Sequence, residues 1–184
     1  RAPNLLTVPV VARDRDGTVN LTVPDKNVAI YYTLDGSEPS KTSSKYEGPF
    51  LVNSPTTLKA IGYDSETQEQ SESTLKHLDI PKKDWEVVDV SSGNIIEVVK
   101  LMDEDPNTFW ATDEGVKTPQ EIVIDLGKIY NLKGFTYVPI QERYPFGIIT
   151  SYEFSVSTNN RTWKTVARGE FGNVVNNRIE QTVN

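Results

Sequence analysis

The chain contains no cysteine. A disulfide framework and a thiolate metal centre are therefore both excluded. It has one histidine, His77, so a serine nucleophile in a Ser-His-Asp arrangement would have only that residue as its base. His77 sits between Lys76 and Leu78 with no nucleophile motif nearby, and it reads as a surface residue. A histidine-rich metal site is impossible. No apolar run approaches the ~18 residues that would suggest a membrane span. Positive charge is also short: 19 Lys and Arg stand against 26 Asp and Glu, a formal net charge of −7. Binding to nucleic acid or to an anionic membrane needs clustered basic side chains, and here they are scattered. A neutral ligand such as a sugar meets no such obstacle. The first residue is Arg1 and no signal-peptide pattern follows, so the chain reads as an internal piece of something longer.

What the chain does have is alternation. Val19, Leu21 and Val23 alternate with polar neighbours, as do Val28, Ile30 and Tyr32, and then Leu58 and Ala60. Further on, Ile122, Ile124 and Leu126 alternate, then Phe135 and Tyr137, then Tyr152, Phe154 and Val156. A period of two gives strands with one buried and one wet face. Asp16-Gly17, Asp35-Gly36, Gly48-Pro49, Asn159-Asn160 and Arg168-Gly169 supply turns between them. Short strands at this spacing predict an all-β chain of β-sandwiches. One stretch hints at helix, with Asn94 as cap and Ile95, Ile96, Val99 and Met102 on one side, for one or two turns. The polar run at residues 64–71 predicts a hairpin tip. Pro81-Lys82-Lys83-Asp84 reads as a linker. Two modules are thus expected, residues 1–80 and 85–184.

Two motif strings give the modules a family likeness. Ile30-Tyr31-Tyr32-Thr33-Leu34-Asp35-Gly36-Ser37-Glu38-Pro39-Ser40, then Tyr46, Pro49-Phe50 and Thr57-Leu58-Lys59-Ala60, resembles the immunoglobulin-like module of chitobiase and hexosaminidase C-terminal regions. That resemblance implies a spacer, with Asp35-Gly36 as a fold-maintaining turn. The second string is Met102-Asp103-Glu104-Asp105-Pro106-Asn107-Thr108-Phe109-Trp110, then Ile122-Val123-Ile124-Asp125-Leu126-Gly127. Tyr137, Ser151 to Ser157 and Trp163 complete it. It resembles the discoidin, or F5/8 type C, family, whose bacterial members are carbohydrate-binding modules with a jelly-roll fold. Family members continue for several more strands and end near an acidic residue. This chain stops at Asn184, so the second sandwich is expected to be truncated or atypical at its end.

The resemblance implies a structural Ca²⁺ at Asp103, Asp105 and Thr108, with Asp105 and Thr108 as ligands and main-chain carbonyls near Met102, Asp103 and Asn107 assisting. Calcium favours such oxygen donors; the bland alternative is a solvated turn. The loop 139–147 has the chemistry of a sugar contact, because sugars pack their C–H faces on rings and direct hydroxyls at polar groups. Gln141 and Arg143 donate hydrogen bonds, Tyr144 and Phe146 offer faces, and Asp113 could approach from the facing loop. The alternative is that Tyr144 and Phe146 close the sandwich. Trp110 and Trp163 read as core. Where fucosidase-linked relatives carry His and a second Trp, this chain has Ala111, Thr112 and Asp113, a departure from the pattern on which the usual galactose-type specificity rests.

The pair of modules looks like the tail of a bacterial α-L-fucosidase or β-hexosaminidase, secreted, periplasmic or at the cell surface. The expected partners are a glycan ending in a galactose-, hexosamine- or fucose-type sugar, and an upstream catalytic domain. The chain itself is not expected to be an enzyme, since small sandwiches rarely form the deep acid-lined cleft of a glycosidase. Two structural or protein-binding modules without sugar affinity are the alternative.

Overall fold

A computed structural model describes residues 6–184, so the first five residues of the expected first module lie outside the description. By internal contacts the chain divides into two units: Arg1–Asp84 with Met102–Glu104, and Trp85–Leu101 with Asp105–Asn184. Among the described residues no helix is long and apolar enough to cross a membrane.

The first unit contains β1 (Val10–Arg13), β2 (Thr18–Thr22), β3 (Val28–Thr33), β4 (Ser44–Lys45), β5 (Phe50–Leu51), β6 (Thr56–Asp64) and β7 (Thr74–Leu78). One sheet runs β1-β2-β5 and the other β4-β3-β6-β7, with antiparallel pairing throughout. The expected alternation is visible in side-chain placement. Val19 and Leu21 are buried on β2 while Asn20 between them is exposed. They pack with Ile30, Val52, Leu58, Ala60 and Leu78 into one core between the sheets. Each of the Val, Leu and Ile side chains contributes about 1.5–3 kcal/mol on burial. Tyr32 stacks on Phe50 with centroids 4.7 Å apart, covering one flank of this core.

The turn at Asp35-Gly36 follows its sequence signature. Gly36 has φ +79°, and Asp35 Oδ1 accepts both the Ser37 amide, at 2.9 Å, and the Ser37 hydroxyl. Those bonds, the hydroxyl first, hold the Asp35 carboxyl below its ordinary pKa. The 64–71 run is a hairpin tip closed by Asp64 N donating to Glu69 O. The segment read as a linker is tied down: Lys82 N donates to Arg15 O and Arg15 Nε to Lys82 O, each at 3.0 Å. Within the same unit the buried Arg13 guanidinium bonds Asp79 and the Glu104 carboxylate, the latter at 2.8 Å, and Lys82 also reaches Glu104.

The second unit contains β8 (Glu86–Val90), a 3-10 turn (Val98–Leu101), β9 (Ile122–Asp125), β10 (Phe135–Tyr137), β11 (Ser151–Val156), β12 (Lys164–Glu170) and β13 (Gln181–Val183). Its strands pair as β8 with β9, β10 with β13, and β11 with β12. Aromatic rings hold the last two pairs together. Phe135 lies 5.2 Å from Tyr152 and 4.6 Å from Phe154, and the buried Phe171 lies 4.7 Å from Tyr152 and 5.2 Å from Tyr137. Such pairs add about 0.5–1.5 kcal/mol each beyond area burial.

Two expectations need correction. The helical stripe is absent: Val98 and Met102 are buried, but Ile95, Ile96 and Val99 are exposed, Ile96 at 85%. A single 3-10 turn, three residues per revolution, is too short to align four apolar side chains. Asn94 does act as a cap, its Oδ1 accepting from Ile96 N at 3.0 Å. Trp163 is not core. It stands 45% exposed just before β12, because the Asn159–Thr162 turn lifts it off the sheet.

Candidate binding site

The site predicted from sequence begins where β10 ends. Pro139, which follows Tyr137 and Val138, is fully buried and fixes the start of the loop 139–147. The far end is held by the Ile149 amide, which donates to the Tyr137 hydroxyl at 3.0 Å. Burial pushes the Tyr137 phenol above its ordinary pKa, so the group stays protonated while it accepts that bond. Between these anchors the chain stands out into solvent. Tyr144 is 78% exposed and Phe146 54%. The Arg143 guanidinium lies over the Tyr144 ring, 5.4 Å from its centroid. A cation on an aromatic face contributes about 0.5–1 kcal/mol at an exposed position. It also holds both side chains in one orientation.

Phe146 turns the other way. Its ring meets Phe109 edge to face at 5.6 Å. Phe109 borders a shallow hollow of about 340 Å³, with Trp110, Asn94, Glu97 and Lys100 on its other sides. Glu97 and Lys100 pair across 3.2 Å, so the hollow carries no strong net charge from those two. Trp110 is fixed by its Nε1, which donates to Asn94 O at 2.8 Å, and its ring lies against Gly93. Gly93 has φ +99°, and a Cβ there would stand 2.5 Å from the Trp110 ring. A side chain at that position is thus excluded twice, by backbone conformation and by space.

The predicted sugar contacts separate by role. Arg143, Tyr144 and Phe146 are exposed together on one loop. Gln141 lies on the same loop, but its Nε2 bonds Arg178 O at 3.1 Å and Pro139 O. Asp113 lies on another loop, where its Oδ2 accepts the Gly93 amide at 3.1 Å. The sequence reading missed Gly93, which meets the Asp113 carboxylate and the Trp110 ring, and Arg178, which bonds backbone carbonyls far along the chain.

The predicted calcium ligands lie in a turn that satisfies itself. Asp105 Oδ1 accepts the Asn107 amide and carboxamide, each at 2.9 Å. Asp105 O accepts the Thr108 amide and hydroxyl, each at 3.2 Å. Glu104 turns to Arg13 and Lys82. Asp103 falls in the first unit, and Asp105 and Thr108 in the second. Among the described residues no three His, Cys, Asp or Glu side chains converge as metal ligands. No binding step below is routed through calcium. His77 is exposed on β7, with Nδ1 3.2 Å from the Thr57 hydroxyl.

The second unit brings one stacked cation and ring and one shallow aromatic hollow together with a few dipoles. No curated protein matches the chain closely enough to be called a relative. Residues 13–75 match the family described as the chitobiase/beta-hexosaminidase C-terminal domain. Residues 84–184 match the F5/8 type C domain over more than half of the chain, and the protein therefore belongs to the F5/8 type C domain family.

Proposed function

We propose that the second unit binds carbohydrate weakly, through the Arg143–Tyr144 pair and the aromatic hollow beside Phe146, and that it tethers a catalytic domain to glycans. The family match supports the first half, since F5/8 type C domains bind carbohydrate in general. The two families together are typical of accessory modules of glycoside hydrolases, which supports the second. The observation that carries the reading is the presentation of Arg143 and Tyr144: a ring exposed on a loop anchored at both ends, with a guanidinium on its face. Tethering raises the effective concentration of substrate at the catalytic domain without adding catalytic contacts. Few groups would be covered at so shallow a site, so affinity falls at about millimolar to micromolar.

On this reading the parent is a glycoside hydrolase acting outside the cytoplasm, of α-L-fucosidase or β-hexosaminidase type, and the first unit is its spacer. A glycan array carrying galactose, N-acetylgalactosamine, N-acetylglucosamine and fucose oligomers tests the binding half. Retention on one sugar class, lost in Arg143→Ala with the fold intact, supports the proposal. No retention on any sugar rejects it. A second reading, protein docking without sugar affinity, draws on exposed apolar side chains of the second unit such as Ile96 and Ile129. It predicts concentration-dependent association that Ile129→Lys abolishes.

A further inference from the structure

We infer that Arg178 is the positioning residue of the sugar-binding loop, an inference that rests on the binding reading above. Arg178 lies between Val174, which is buried, and β13, in a stretch without strand pairing. Its Nη1 donates to the carbonyls of Ile140, at 3.4 Å, and Glu142. In return Gln141 Nε2 donates to the carbonyl of Arg178 at 3.1 Å. The clamp is reciprocal: one side chain from each segment holds the main chain of the other. Residues 140–142 lie outside any sheet, so their carbonyls need donors from elsewhere. A guanidinium suits the task, because it keeps its charge at all working pH and presents several donors in a rigid plane.

The residue next beyond the clamp is Arg143, followed by Tyr144. The bonds that Arg178 makes to the loop go to its main chain. Arg178 fixes the backbone from which those two side chains project. A loop held before the ligand arrives loses less conformational freedom on binding. The clamp also gives Gln141 a role, because its carboxamide is part of the brace.

The test uses the full chain in four forms beside wild type: Arg178→Ala, Arg178→Lys, Arg143→Ala and the double variant Arg178→Ala/Arg143→Ala. Amide exchange is read without sugar, and affinity is read by NMR titration with galactose, N-acetylglucosamine and fucose oligosaccharides. Arg178→Ala is expected to speed exchange at residues 142–147 roughly tenfold and to weaken sugar affinity by a comparable factor. Protection across β11 and β12 stays unchanged. Arg178→Lys, a point donor without the planar fork, restores only part of either effect. The double variant binds no more weakly than Arg143→Ala alone, because Arg178 acts through the loop tip. Unchanged exchange in Arg178→Ala refutes the clamp. Additive losses in the double variant, or lost protection in β11 and β12, refute positioning in favour of a general structural role. Wild type that binds none of these sugars, with the loop still loosened in Arg178→Ala, refutes the binding reading and the positioning role with it but leaves the clamp itself standing.

Discussion

The two units solve the same problem with different material. In the first, two sheets face each other and aliphatic side chains from both fill the space, with Leu58 and Ala60 fully buried. In the second, paired strands are bridged by rings, Phe135, Tyr152, Phe154 and Phe171, and few aliphatic side chains are buried. The first unit leaves its chemistry in short, self-satisfied turns such as Asp35–Ser37. The second holds a longer loop at both ends and presents its tip to solvent. Binding groups on a loop carried by a fixed scaffold are a common division of labour. The proposed division into spacer and binding element builds on that contrast.

Substitutions sharpen the contrast. The largest expected effect is Leu58→Ala, which opens a void between the sheets and costs the first unit about 2–5 kcal/mol. Denaturant titration with a probe on β3 or β6 reads it. Phe171→Ala removes a ring that touches three neighbours in the second unit, at about 3 kcal/mol or somewhat less, since that unit is less tightly filled. A loss above that of Leu58→Ala would overturn the ranking. Gly93→Ala forces a Cβ onto Trp110 and a strained backbone, together about 3 kcal/mol. It also distorts the hollow, so sugar affinity and stability fall together.

Smaller effects come from titration. Asp35 and Glu38 in the first unit both have carboxyl pKa values held below the ordinary range, Asp35 by Ser37 and Glu38 chiefly by Lys59, with Ser73 adding to it. A depressed folded pKa gives stability that is present above the unfolded value and lost as pH falls through the folded one. Acid should therefore weaken the first unit, and Asp35→Asn should remove part of that slope. In the second unit the sign is reversed. Burial raises the Tyr137 pKa, so its contribution is complete below the unfolded phenol value and lost as pH rises through the folded one. Alkaline melting curves of Tyr137→Phe, which cannot ionise, should be flatter than those of wild type. The smallest change belongs to Lys59→Ala, which removes the partner of the exposed Glu38 and should shift stability by under about 1 kcal/mol.

Strands with clean alternation were legible in the sequence. Val19 and Leu21 became β2, Ile30 lies on β3, Leu58 and Ala60 on β6, and Tyr152 and Phe154 on β11. Others were not, and for a physical reason. Lys164–Glu170 carries only Val166 and Ala167 as apolar residues, so β12 is set by pairing with β11 rather than by its own pattern. Trp163 misled because large aromatics are usually buried, while its neighbours at 159–162 form a tight turn. The binding loop stood out by composition, since Arg143, Tyr144 and Phe146 lie within four residues. Its supports did not. Arg178 is 36 residues from the carbonyl it holds, and a bond from a side chain to a distant backbone leaves no periodic trace.

The most direct measurement is a nitrogen-15 NMR titration of the whole chain with oligosaccharides ending in galactose, N-acetylhexosamine or fucose. Saturable shifts at residues 142–147 and around Phe109, with β2, β3 and β6 silent, are the expected result. Shifts confined to the first unit, or none up to high millimolar sugar, would contradict the assignment of recognition to the Arg143–Tyr144 loop.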